Sequence, residues 1–182
     1  MRIMTVILGF LVLLSSAHAQ TESPPRPAKD RLVVGVIERV IVFPGNFLLH
    51  AKVDTGARTS SLNAQDITTT YRQGERYVRF SVTNREGRTA TFQQRVVRHV
   101  RIKEVGAPSQ RRPVIRLGIC LGNVFRETEI SLADRSNFNF QLLVGRKFMS
   151  QRVIVDPSLE YTATPSCPNA VKAADSRDKA TK

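Results

Sequence analysis

Asp54, Thr55 and Gly56 follow an apolar approach made by Phe47, Leu48, Leu49, Ala51 and Val53, and the chain continues Ala57-Arg58-Thr59-Ser60-Ser61-Leu62. Gly56 and Ala57 are small enough for a sharp turn and for close approach of another backbone. A carboxylate at the end of an apolar strand is poorly solvated, which makes Asp54 a candidate acid or base. Such a tripeptide also serves as a plain turn at a strand end, a role that Asp and Gly fill in any protein. A second stretch, Phe140-Gln141-Leu142-Leu143-Val144-Gly145-Arg146-Lys147-Phe148-Met149, sets Gly145-Arg146 between two apolar groups.

Asp-Thr-Gly-Ala after a strand, with Leu-Leu-Val-Gly-Arg downstream, resembles the retropepsin-like aspartic proteases. Lys52 to Leu62, Arg112-Pro113-Val114 and Leu142 to Phe148 are similar to one bacterial branch, labelled ATP-dependent zinc protease or ligase-associated retropepsin-like. The resemblance spans Leu32 to Pro157. It implies an all-β fold, a closed or partly open β-barrel of the retropepsin (acid protease) type with one short helix. It assigns Asp54 to catalysis, Thr55 to a hydroxyl network bracing the catalytic pair, and Gly56 to substrate backbone contact. Ala57 and Arg58 fall on the substrate side, and Gly145 and Arg146 pack behind the loop as scaffold.

Aspartate-driven hydrolysis needs two carboxylates sharing one proton, one to activate water and the other to protonate the carbonyl. The chain holds one Asp-Thr-Gly, and Val155-Asp156-Pro157 lacks the Thr-Gly turn. The dyad therefore requires a homodimer, with Asp54 of each copy meeting across a two-fold axis. Viral retropepsins carry an acid where this chain has Arg58, so Arg146 needs another partner, with Asp66, Glu129 or Asp134 as candidates. Arg58 either faces a carboxylate-bearing, glutamyl-type substrate or forms an internal salt bridge. Gln73-Gly74-Glu75 sits between two strands where a flap hairpin would lie.

The zinc and ATP of the branch label have little basis in these residues. Behind the amino-terminal segment only His50 and His99 remain, with neither His-Glu-x-x-His nor paired-cysteine spacing. No phosphate loop and no Gly-x-Ser-x-Gly elbow is present. We expect neither a metal nor a cofactor.

Arg2, an apolar run from Ile3 to Leu14 and Ser15-Ser16-Ala17-His18-Ala19 read as a signal peptide over residues 1–19, cleaved after Ala19. The run is shorter than the ~20 residues that span a bilayer. Export to a bacterial periplasm follows as the expected location. A disordered or extended Pro-rich lead-in is expected over 20–30, one folded domain over 31–165, and a disordered tail over 166–182. Cys120 and Cys167 permit one disulfide in an oxidising compartment, or two unpaired thiols.

The 182-residue chain carries 28 basic and 15 acidic residues, a net charge of +13. Arg95, Arg98, Arg101, Lys103, Arg111, Arg112 and Arg116 crowd one region. Such a surface attracts polyanions in a salt-dependent way or is simply a solvated face. Outside the cytoplasm the expected partners are acidic peptides or an anionic envelope component, not nucleic acid. A non-catalytic module of the same fold, binding acidic polymers or proteins through this face, is the alternative to a peptidase.

The strand pattern agrees with an all-β barrel or sandwich. Leu32–Ile37, Val40–Phe43, Phe47–Val53, Tyr77–Val82, Thr89–Ile102, Val114–Leu121, Val124–Leu132, Leu142–Val144 and Arg152–Val155 read as strands. Ser60–Asp66 reads as a short polar segment, Gly106–Gln110 as a loop, and Gly145–Ser150 as one or two turns of helix.

Overall fold

A computed structural model describes residues 27–104, 107–134, 139–168 and 170. The expected signal peptide (1–19) and residues 171–182 lie outside the described residues. After a 3-10 turn at Ala28–Asp30 come β1 Leu32–Val34, β2 Ile37–Phe43, β3 Phe47–Val53, β4 Ser60–Asn63, β5 Gln65–Arg72, β6 Glu75–Thr83 and β7 Thr89–Arg95. There follow β8 Arg98–Glu104, β9 Ala107–Leu121, β10 Val124–Ala133, β11 Leu142–Val144, the helix α1 Arg146–Met149 and β12 Val153–Val155.

Side-chain alternation explains how these strands close on themselves. In β3, Phe47, Leu49, Ala51 and Val53 point inward, and Lys52 points to solvent. β2 pairs with β3 from Ile37↔Lys52 to Val42↔Phe47, and Gly45 (φ 95°) and Asn46 (φ 49°) turn the chain between them. The sheet runs β10-β4-β11-β3-β2-β9, and the β9–β10 hairpin pairs its ends, which closes a barrel. β8 adds to β9 outside the closed ring. Leu49, Leu62, Ile115, Leu117, Ile119, Ile130, Leu132, Leu142 and Phe148 fill the interior with 2% exposure or less.

A second sheet, β5-β6-β7, lies against this barrel. Its contacting face carries Val78, Phe80, Val82 and Phe92, all buried. Phe92 stacks on Phe80 and meets Phe47 of the barrel edge-on, with ring centroids 6.2 Å apart. β5, by contrast, is exposed along its whole length, and the β5–β6 hairpin turns at Gln73-Gly74, both at positive φ.

The fold is thus the all-β barrel with one short helix expected from the sequence, and three local expectations are corrected. Thr89–Ile102 is two strands, because the chain changes sheets at Val96-Val97: Val96 N donates to Arg76 O of β6, and Val97 N donates to Val114 O of β9. Of the loop expected at Gly106–Gln110, residues Ala107–Gln110 are instead the start of β9, which pairs antiparallel with β8 with Glu104 opposite Ala107, and Gly106 lies outside the described residues. Ser60–Asp66 is not merely a polar connection. Its first half is β4, which runs parallel to β10 and antiparallel to β11, with Ser60 and Leu62 fully buried.

The carboxy-terminal segment straps the barrel. Tyr161 N donates to Ile37 O, and Ser166 N donates to Gly122 O. Cys167 is bonded to Cys120 with their Cα atoms 6.1 Å apart, so the disulfide alternative is the one realised. Ala170 is buried; the expected tail therefore cannot begin at Ser166. Likewise Ala28–Asp30, expected as part of a disordered or extended lead-in, forms the 3-10 turn.

Glu38, with no exposed surface, holds this strap from inside. Its carboxylate accepts from Gly35 N (2.7 Å), Thr162 N (3.1 Å), Thr162 Oγ1 (2.7 Å) and Ala163 N (3.1 Å). Removing the acceptor leaves the buried Gly35 amide and three part-buried donors unpaired at once. Glu38→Ala is expected to lower the unfolding free energy by about 3 kcal/mol or more, read as a drop in urea midpoint; an unchanged midpoint would show that the strap does not depend on it.

Candidate functional site

β3 delivers Asp54 to the rim of the barrel, where the strand ends and the main chain turns. Asp54 N still donates to Val144 O, so the residue is tied to the β3–β11 ladder as the turn begins. Its Oδ1 accepts from Gly56 N (2.9 Å) and Ala57 N (3.1 Å). Two main-chain donors on one oxygen fix the carboxylate plane. Among the described residues no donor reaches Oδ2. A Cβ at position 56 would lie 3.2 Å from Oδ1, so glycine keeps the carboxylate uncrowded. Asp54 is half-buried, and Thr55 and Gly56 are exposed.

The β11–α1 junction supports this turn from behind. Arg146 Nη1 donates to the carbonyls of Thr55 (2.8 Å) and Gly56 (2.7 Å). Arg146 N donates to Ala57 O, and Lys147 N to Arg58 O. These two amides belong to the first turn of α1, which has no intrahelical acceptors for them. Gly145 N donates to Ser60 Oγ, and Ser131 Oγ donates to Ser60 O. A side chain at Gly145 would meet the Thr59 carbonyl carbon at 2.7 Å and Ala57 O at 3.0 Å. The two sequence motifs therefore interlock through the main chain, at a separation only glycine allows.

Arg146 takes carbonyls where the sequence pointed to a carboxylate. Glu129, one of the three candidates, is occupied elsewhere: its Oε2 accepts from Arg98 Nη2 and Lys147 Nζ, each at 2.7 Å. The hydrogen bonds from Arg98 and then Lys147 outweigh its burial and hold its pKa down at about 2. Arg126 completes the support, with Nη1 donating to Lys147 O and Phe148 O at the end of α1. Ser60, Arg126 and Lys147 carried no warning in the sequence. Each acts through main-chain groups or an ion pair whose partner is distant in the chain, and only the fold brings them together.

Ala57 and Arg58 continue the turn. Arg58 is exposed, and among the described residues no carboxylate pairs with it. The Gln73-Gly74 hairpin tip is exposed as well.

The histidines sit elsewhere in the structure. His50 Nδ1 shares a hydrogen bond with the Tyr161 hydroxyl at 3.1 Å, and Nε2 lies 3.3 Å from Glu86. His99 is pushed toward its neutral form by burial first, then by Arg111 and Arg76. Among the described residues no group of three or more His, Cys, Asp or Glu is placed to hold a metal ion. These residues do not fit the zinc of the branch label.

With this geometry in hand, comparison with known proteins gives consistent results. A family model described as retropepsin-like aspartic endopeptidase RimB matches residues 33–166. A crystal structure of the Legionella pneumophila protein Lpg0085, of unknown function, superposes with a TM-score of 0.63 at 33% identity, covering 73% of this chain and 98% of that one. A Shewanella pealeana protein named "Probable alpha-L-glutamate ligase" is 36% identical over 137 residues, 72% of this chain but 30% of its own length. One of the same name from Desulfotalea psychrophila is 38% identical over 115 residues, 62% of this chain and 25% of its own length. The chain thus spans less than a third of these curated relatives.

The Glu129 cluster generates a pH prediction. A carboxyl whose folded pKa lies below its ordinary 4.5 adds stability above that value, and the contribution is lost as pH falls toward about 2. Between those limits the wild-type chain should lose about 3 kcal/mol more stability than Glu129→Gln does. Parallel acid dependence of the two unfolding midpoints would show that the bridge contributes nothing.

Proposed function

The chain belongs to the RimB-like family of retropepsin-like aspartic endopeptidases, and we propose that it is an exported peptidase, hydrolysing peptide or amide bonds with a dyad built from Asp54 of two copies. The observation that carries this reading is the Asp54 turn. One carboxylate oxygen is fixed by the Gly56 and Ala57 amides, and among the described residues no donor reaches the other. Two such turns meeting on a two-fold axis bring two carboxylates together. Like charges that close share one proton. The ionised member takes a proton from water as it attacks the carbonyl carbon, and the protonated member gives its proton to the carbonyl oxygen. Thr55, exposed beside Asp54, is positioned for the hydroxyl network of a paired site. Gly56 leaves room for substrate backbone.

Arg58 supports a substrate with carboxylates, since it is exposed beside the catalytic turn without an acidic partner among the described residues. The relatives named as glutamate ligases point in the same direction, toward a glutamyl-containing peptide. Ligation itself is not proposed, because the chain covers only 30% and 25% of those relatives. Export to the periplasm rests on the apolar segment from Ile3 to Leu14 and the Ala-x-Ala that follows.

The test is cleavage of glutamate-rich and neutral peptides by the wild-type chain and by Asp54→Asn. Asp54 contributes no core packing, so the variant should keep the wild-type unfolding midpoint while turnover falls about 100-fold or more. Equal turnover in both chains would overturn the assignment of Asp54. Absence of turnover in both, with acidic peptide still bound, would favour the non-catalytic binding module.

A further inference from the structure

A second surface lies where the three-stranded sheet meets the β8–β9 hairpin. Arg101 on β8 stands directly opposite Arg111 on β9, and His99 stands opposite Pro113 on the same face. Directly opposed side chains of an antiparallel pair are close neighbours, and like charges there are destabilising. Among the described residues no acid forms an ion pair with Arg101 or Arg111. The next sheet contributes Arg76, whose carbonyl accepts from Val96 N at the crossing point. Arg76 and Arg111 both act electrostatically on His99, so both arginines lie within charge range of it. Glu75, next to Arg76 on β6, is paired with Arg95.

Apolar groups interleave with these charges. Tyr71 is opposite Arg76 in the β5–β6 ladder, and the guanidinium lies over its ring at 5.4 Å while Nε donates to its hydroxyl. Tyr71 is nonetheless 64% exposed. Val97 at the crossing point is also exposed, at 38%. Arginines set among an exposed tyrosine and valine match the boundary of a bilayer. There phosphates meet the cations, and amphipathic rings sit at headgroup depth. A soluble polyanion would satisfy the arginines but offers no apolar layer for Tyr71 and Val97.

We propose that the surface formed by Tyr71, Arg76, Val97, His99, Arg101 and Arg111 docks this protein on an anionic lipid bilayer. The contact is peripheral, made by strand side chains, and combines charge attraction with shallow burial of the tyrosine and valine. It is independent of the peptidase reading, since it uses none of the residues around Asp54.

The experiment is a vesicle-binding titration of the full chain, with phosphatidylcholine vesicles and with phosphatidylcholine mixed with phosphatidylglycerol. The wild-type chain should bind the mixed vesicles at about tenfold lower lipid concentration or better, an advantage that shrinks with added salt. Arg101→Glu with Arg111→Glu should remove that advantage. Lys29→Glu with Arg88→Glu, the same charge change elsewhere on the surface, should retain most of it. Tyr71→Ser, which leaves the net charge intact, should weaken binding to mixed vesicles about threefold or more. The proposal is overturned by equal binding to both vesicles, by equal losses in the two charge-reversal pairs, or by unchanged binding of Tyr71→Ser. In the last case the surface is a docking site for a soluble polyanion. All these side chains are exposed or half-buried, and an unchanged unfolding midpoint confirms that each variant is folded.

Discussion

Arg146 forks onto the carbonyls of Thr55 and Gly56, and the geometry of the Asp54 turn depends on that contact. An Asp-Thr-Gly turn at a barrel rim has few side chains of its own to hold it. Its main-chain polar groups must be satisfied from elsewhere or hydrated, and a hydrated turn would not keep a carboxylate in one plane. The guanidinium and the first amides of α1 supply the missing partners. The close approach works because Gly145 has no side chain to strike the chain at Thr59. Behind this layer, Glu129 fixes Lys147, and Arg126 closes the far end of α1. Ion pairs and hydrogen bonds away from Asp54 therefore support the turn through the helix, without touching the Asp54 carboxylate.

The same logic runs through the strap. Glu38 gathers main-chain amides from Gly35, Thr162 and Ala163, and the Cys120–Cys167 bond secures the segment further on. A short chain closing a small barrel has little apolar area to spare at its ends. A buried carboxylate and a disulfide hold the end that packing alone does not.

Much of this was legible in the sequence where local chemistry decides the structure. Phe47–Val53 and Leu142–Val144 alternate or cluster as buried strands must, and their ends coincide with β3 and β11. The two motifs that flank Asp54 and Arg146 announced the site because glycine and small residues mark close main-chain approach. What stayed hidden was tertiary. Ser60-Ser61-Leu62-Asn63 holds one strongly apolar residue, too little for periodicity to register, yet it sits between β10 and β11. The apparently continuous strand from Thr89 to Ile102 breaks only because its neighbours change from β6 to β9. Arg146 was expected to seek an acid, since a cation's partner in sequence is guessed by charge; carbonyls carry no sequence signature.

The shared-proton mechanism requires that two Asp54 turns meet. The most direct measurement is the solution mass of the protein by light scattering across a range of concentrations. The account predicts a mass twice that of one chain at the higher concentrations, falling toward the single-chain value on dilution. A single-chain mass at every concentration would leave Asp54 without a second carboxylate and would contradict the shared-proton mechanism.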